Sequence, residues 1–325
     1  MNKNEENFKI AKETLELTNS ILLTTHERTD GDDLGTVLAL ANHLRSVGKK
    51  VSIVIKGGVP KQLQYLPLSG EVSEQLPKDE NGLDQIFDLL VISGCSVQDR
   101  VNHEQILNLN IPIINFDHHP DNKMYGSINI VDHTKSSVAE LAYDFFKFCG
   151  WEINHDVAIC LLTGIVTDTG IFMHSNTQAS TLAAAGELME KGARVATVTK
   201  HTYEGQDIAS LKSWSKAIEN AYYDPSKQII YSIITSEEME ALGNPPSSVF
   251  QGVVETLNKV PEAKFAMLLK QDNGIIKGSL RSEEYKGVDV QAIAHTMGGG
   301  GHKLAAGFSV AGKLAKNTDG KWVVV

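Results

Sequence analysis

The chain has 325 residues, 42% of them hydrophobic and 22% charged, and a formal net charge of -10. That length suits two domains better than one core. The acidity argues against sequence-independent binding of long nucleic acid, which needs a basic track, and no window of about 18 apolar residues exists to cross a membrane. Three cysteines without regular spacing, Cys95, Cys149 and Cys160, fit a reducing compartment rather than a zinc knuckle. With a polar N-terminus that lacks a signal-like apolar stretch, the expected location is cytoplasmic.

In chain order, residues 4–18 read as an amphipathic helix, and Ile21-Leu22-Leu23-Thr24-Thr25 as a strand. A polar run follows from His26 to Gly35, then a helix near 34–46 and a second strand, Val51-Ser52-Ile53-Val54-Ile55. This βαβ opening predicts a parallel sheet with right-handed crossovers. Further strands are predicted at 89–92 and 111–116, and helices at 136–149, 153–166 and 177–191, each after residues suited to helix caps. From Gly192 to Gly205 the character changes to a polar stretch, with a helix near 206–220. Short strands are then expected at 229–234, 263–269 and 274–280, with helices at 245–258 and 288–296, which reads as a smaller mixed α/β domain.

Three polar groups follow apolar segments. The first is His26-x3-Asp30-x-Asp32; read as a loop, alternate residues could serve two neighbouring ions, although Asp-Gly is also a common turn dipeptide. The second is Asp117-His118-His119, and the third is Asp168, ahead of Gly170, where an ordinary helix stop is the alternative. Together His26, Asp30, Asp32, His118 and Asp168 offer enough oxygen and nitrogen ligation for two divalent ions. Two ions about 3.5–4 Å apart clamp the oxygens of a phosphoryl displacement and lower the pKa of a water between them. Such a donor set favours Mn2+, with Mg2+, Co2+ or zinc as rivals. His119 would orient a ligand or donate to a phosphate oxygen.

A fourth group lies toward the C-terminus: Arg281 and Ser282, then Gly298, Gly299, Gly300, Gly301 and His302. Four glycines allow the backbone to approach an anion as a nest of N–H groups. Arg281 can grip a phosphate bidentately and His302 can add a hydrogen bond. A flexible linker is the alternative, but the strand-like Ala305-Ala306-Gly307-Phe308-Ser309-Val310 follows directly.

The ordered set His26-x3-Asp30-x-Asp32, Asp117-His118-His119, Thr167-Asp168-Thr169-Gly170, Arg281 and the glycine run with His302 resembles the DHH phosphoesterases with a DHHA1 domain. Among them the small bacterial RecJ-like members, of nanoRNase and pAp-phosphatase type, look most similar. Ser136-Ser137-Val138-Ala139-Glu140 resembles a family stretch as well.

The resemblance implies a parallel-sheet DHH metal-binding catalytic domain over 1–191, a helical linker over 192–221, and a smaller DHHA1 substrate-binding domain over 222–325, facing the first across a cleft. It implies hydrolysis of short oligoribonucleotides or linear dinucleotides such as pApA, with pAp 3'-phosphatase action. His26 and Asp30 would hold one ion, Asp32, His118 and Asp168 the other, and His119 and Asp117 would serve catalysis. Arg281, Ser282, Gly299, Gly300, Gly301 and His302 would bind substrate, and a homodimer would be in keeping.

One departure stands out. The family's third strand ends in an aspartate that bridges the metals, and here that place falls on Gly94; the next acid, Asp99, lies five residues on. Losing that carboxylate is expected to weaken both sites and impair turnover. Three explanations stay open: a variant made inactive to trap substrate, a natural homologue that binds without turnover, or partial substitution by water, Ser93 or Cys95. A non-hydrolysing nucleotide sensor and a pyrophosphatase or exopolyphosphatase are the competing functions.

Overall fold

The computed structural model describes all residues except 1–3, 79–81, 83–84, 203–207, 246, 251, 273 and 319–321. It divides into two compact units, Met1–Gly205 and Gln206–Val325. The first contains α1 (Glu5–Leu17), β1 (Ser20–Thr25), α2 (Gly31–Ser46), β2 (Lys50–Ile53), β3 (Leu89–Ser93), α3 (Glu104–Leu107), β4 (Ile113–Asp117), β5 (Ile128–Val131), α4 (Val138–Cys149), α5 (His155–Asp168), α6 (Ala179–Glu190) and α7 (Val195–Thr202). Its five strands form one parallel sheet in the order β2-β1-β3-β4-β5. The fifth strand was not foreseen: Ile128-Asn129-Ile130-Val131 is short and carries a polar residue.

Alternate residues of the buried strands face opposite sides. Ile21, Leu23, Leu89, Val91, Ile114 and Phe116 join the core beneath the helices, whereas Leu22, Leu90 and Ile92 pack with Phe87, Val101 and Ile106 on the other face. Strand β1 lies between β2 and β3, so the crossovers diverge at the β1/β3 boundary. In open α/β sheets the carboxyl edge at such a switch point is where ligands bind. Thr25 pairs with Ser93, and Ser93 with Phe116. The residues that come next, His26, Gly94 and Asp117, therefore emerge side by side from three adjacent strands.

Helix α2 approaches α5 closely. A Cβ on Gly35 would strike the Cys160 carbonyl oxygen, and one on Gly164 would come within 2.8 Å of Asp32 Oδ1.

The second unit contains α8 (Ile208–Glu219), β6 (Tyr222–Asp224), β7 (Ile229–Ile234), α9 (Ser236–Ala241), α10 (Val253–Leu257), β8 (Phe265–Asp272), β9 (Ile275–Arg281), α11 (Val290–His295), β10 (Gly300–His302), β11 (Ala305–Ala311), β12 (Leu314–Lys316) and β13 (Trp322–Val324). Six strands form a mixed sheet, β10-β11-β9-β8-β7-β6, in which only the β7–β8 pair is parallel among the described strands. The helix expected over 245–258 is a 3-10 turn at Ser247–Phe250 followed by the short α10. The stretch 192–221, expected as a helical linker, divides between the units: Val198 of α7 joins the first core, and Trp214 and Ala217 of α8 join the second. Residues 203–207, including Gly205, lie outside the described set.

Because α2 and α5 meet backbone to backbone at Gly35, Gly35→Ala should destabilise the first unit by about 1–3 kcal/mol. Urea unfolding measures this, and an unchanged midpoint would contradict the packing.

Candidate metal centre

Asp30 stands just before α2. Its backbone is extended (φ -108°, ψ -170°) and its Oδ1 accepts the backbone N–H of Asp32 at 3.0 Å and of Asp33 at 3.1 Å. It is an N-cap, so Asp32 and Asp33 occupy the first helical turn and not a loop as the alternate-residue reading assumed. Successive helical residues point about 100° apart, and the two carboxylates part accordingly. Asp32 turns to the start of α4, where the N–H groups of Val138 and Ala139 donate to it at 2.7 and 2.8 Å. Asp33 turns to the end of β3, where its oxygens lie 2.8 Å from His26 Nε2 and 3.2 Å from the Ser93 hydroxyl.

Two groups of ligand atoms result, each with all its atoms within 4.8 Å of one another: His26, Asp30 and Asp33, and Asp32, His118 and Asp168. Five of these six residues were expected; Asp33 was not. A signal for it existed, since Asp-Gly-Asp-Asp is a capped, acidic first turn in which residues 32 and 33 are both placed to act.

The surroundings orient these side chains. His118 Nδ1 lies 3.2 Å from the Lys135 carbonyl oxygen, which leaves Nε2 facing Asp168 at 3.8 Å. The buried Glu140 accepts hydrogen bonds from the Ser136, Ser180 and Thr181 hydroxyls and pairs with Lys135, holding the turn that opens α4. Asn176 donates to the Asp168 carboxylate and to the Ser136 carbonyl. Arg100 donates to the Gly94 carbonyl at 3.3 Å. None of the contacts of Asn176 or Arg100 has a sequence pattern that announces it.

Asp117 is fully buried and accepts from the backbone N–H groups of His118 and His119 and from the Asn122 amide. Its Oδ1 also sits 2.6 Å from His119 Nδ1. Burial disfavours both charges, yet their hydrogen bond prevails: Asp117 is held below the usual carboxylate range and His119 rises to about 9. Asp117 is thus a holder of the His-His turn, and its carboxylate favours the protonated form of His119. Asp99 is exposed. Burial pushes the Cys95 thiol up, which makes it a poor thiolate ligand.

Without cations this arrangement is electrostatically costly. Burial, then the charge of Asp168, raises Asp32 well above its ordinary value. Burial, then the charges of Asp30 and Asp33, pushes Asp168 up to about 8. Clustered buried carboxylates beside imidazoles fit hard or borderline divalent cations. The hydroxyls of Thr25 and Thr29 and the amide oxygen of Asn176, beside His26, Asp30 and Asp168, are also buried with no hydrogen-bond partner among the described residues.

In the second unit, Arg281, Ala305 and His302 lie opposite one another on β9, β11 and β10. The Arg281 guanidinium bonds Glu255 at 2.8 Å and its neighbour's carbonyl, Leu280, at 2.8 Å. Ser282 is buried and its hydroxyl donates to the Lys264 carbonyl, so that donor is already engaged. The glycine run is not the open nest expected from sequence. The N–H groups of Gly298 and Gly299 close the end of α11 on His295 and Ala294, and Gly300 and Gly301 pair with β11 in a hairpin. A Cβ on Gly299 would lie 2.6 Å from that of Phe308, whereas Gly300 faces open space.

Residues 20–165 match the DHH family, N-terminal domain, and residues 228–319 match the DHHA1 domain. The chain therefore carries a DHH-family N-terminal domain followed by a DHHA1 domain. Among curated relatives, the bifunctional oligoribonuclease and PAP phosphatase NrnA of Thermus thermophilus is 29% identical over 292 residues, covering 90% of this chain and 84% of that protein. The protein of the same name from Bacillus subtilis is 26% identical, covering 91% of each. A solved exopolyphosphatase-related protein from Bacteroides fragilis shares the fold, with a TM-score of 0.85 at 21% identity over 94% of this chain and 91% of that one. Among the described residues, no helix is long and apolar enough to cross a membrane.

The raised Asp168 has a consequence for stability. Its folded value of about 8 exceeds the ordinary 3.8, so the folded state holds the proton more tightly. The metal-free protein should therefore lose stability as pH rises from about 4 to about 8. Mn2+ should raise Tm, and by more at pH 8 than at pH 5. A Tm at pH 8 indifferent to Mn2+ and to EDTA would contradict this.

Proposed function

We propose that this chain is a divalent-cation-dependent phosphodiesterase that cleaves very short oligoribonucleotides and linear dinucleotides such as pApA, and removes the 3'-phosphate of pAp. The supporting observation is the pair of His/Asp groups at the carboxyl edge of the parallel sheet. The names of relatives aligned along about nine-tenths of the chain point the same way. Bound divalent cations, Mn2+ in this reading with Mg2+ or Co2+ as alternatives, would polarise the phosphoryl oxygens and acidify the attacking water.

The protein's own contribution is position and proton supply. The Asp30 cap fixes the first turn of α2, and the start of α4 fixes Asp32. Through Asp117, His119 keeps a proton beside the two groups, where it can stabilise a phosphoryl or leaving oxygen. In the second unit, the remaining donors of Arg281, with His302, would bind a phosphate of the substrate.

The direct test is hydrolysis of pApA, pAp and pyrophosphate with Mn2+. AMP should form from the first two faster than phosphate from the third. Binding of pApA with no product would instead favour a nucleotide sensor, the reading that Gly94 suggested; rapid pyrophosphate hydrolysis would favour a pyrophosphatase.

Two variants test the roles. His119→Asn should lower kcat by roughly 10²–10⁴-fold. In the wild type, activity should fall as pH rises through the His119 value, at or below about 9 because bound cations disfavour the imidazolium. That limb should vanish in the variant, and its persistence would exclude His119 as the titrating group. Arg281→Ala should raise KM for pApA at least about tenfold with a smaller change in kcat; an unaltered KM would remove Arg281 from substrate binding.

A further inference from the structure

Position 94 lies in register between His26 and Asp117, on the central one of three strand ends. It is glycine, with φ +65°. A Cβ built there would fall inside the Asp33 carboxyl group, overlapping Cγ and both oxygens. The volume that a side chain at 94 would fill is therefore occupied by a carboxylate, delivered from the neighbouring helix.

That carboxylate is buried, with Asp33 3% exposed, and it is fixed on several sides. Its backbone N–H is bound by the Asp30 cap, one oxygen takes the Ser93 hydroxyl, and the other meets His26 Nε2. Asp33 shares a ligand group with His26 and Asp30. It is also close enough to Asp168 and Asp32, in the second group, for its charge to act on both. The loss expected from glycine at 94 is thus matched by an acid at 33.

We propose that Asp33 supplies the carboxylate shared by the two cation positions, and that Gly94 is the space which admits it. The two positions form one unit: an acid at 33 requires glycine at 94, and an acid at 94 requires a small residue at 33. Asp33 is then a ligand in its own right, and the chain is a competent enzyme rather than an impaired one. This inference rests on the metal-dependent reading above.

The test compares wild type, Asp33→Ala, Asp33→Asn, Gly94→Asp and the double variant Asp33→Ala/Gly94→Asp. Mn2+ stoichiometry and affinity come from calorimetry, and spin coupling between ions from electron paramagnetic resonance. pApA hydrolysis is measured in parallel.

Wild type should bind two coupled Mn2+ ions. Asp33→Ala should weaken the binding of at least one ion by about tenfold or more and abolish the coupled signal. Asp33→Asn keeps the volume and removes only the charge, so it should do the same with a circular dichroism spectrum like that of wild type. Gly94→Asp, with two carboxyl groups competing for one space, should also lose the coupling. The double variant should regain two coupled ions and a rate well above either single variant; aspartate tolerates positive φ better than most residues.

Two coupled ions of wild-type affinity in Asp33→Ala or Asp33→Asn would overturn the proposal, as would a double variant no better than Asp33→Ala. Ion binding is read without substrate. A wild type that binds two coupled ions through Asp33 but hydrolyses neither pApA nor pAp would sink the functional reading and leave this one standing.

Discussion

Repulsion among carboxylates is the constraint on which the first unit depends. Asp30, Asp32, Asp33, Asp117 and Asp168 all approach the carboxyl edge of one parallel sheet, and Asp32, Asp33 and Asp117 are buried there. A fold does not gather such groups for its own stability, because desolvated like charges cost several kcal/mol each unless compensated. Some of the cost is offset internally: Asp117 has His119 and Asn122, and Asp32 has the N-terminus of α4. The remainder, left on the two His/Asp groups, is what bound divalent cations would neutralise.

The first turn of α2 turns this constraint into a site. One cap at Asp30 binds the backbone N–H groups of the two acids Asp32 and Asp33, and the helical rotation sends their side chains to different neighbours. The close approach of α2 to α5, which demands glycine at 35 and 164, brings Asp168 to the same place. Helix packing, helix capping and strand register are thus three separate causes that converge on one set of ligand atoms. The second unit needs no such balance: its glycines serve a hairpin and a helix end, and its cation Arg281 is already paired with Glu255.

Much of this was legible in the sequence. The apolar runs at 21–25, 89–92 and 111–116 announced buried parallel strands, and polar groups after such runs announced a site at the carboxyl edge. His26, Asp30, Asp32, His118 and Asp168 were readable from spacing and type. Asp33 was not, because a loop reading gives weight to alternate residues and passes over the adjacent one. Recognising Asp30 as a helix cap would have changed that geometry. Gly94 looked like a loss because the residue filling its space is 61 positions away in sequence (94 − 33), and such compensation exists only in three dimensions. The glycines near 300 misled for a related reason: whether an N–H is open to an anion depends on what it already bonds, and composition carries no trace of that.

The account turns on Asp33 standing between two cations at the ends of β1, β3 and β4. Anomalous scattering from a crystal grown with Mn2+, collected at the manganese edge, addresses this without any assay. The account predicts two peaks about 3.5–4 Å apart, one beside His26 and Asp30 and one beside Asp32, His118 and Asp168, with the Asp33 carboxylate touching both. A single peak, or two peaks with the Asp33 carboxylate turned away from either, would contradict it.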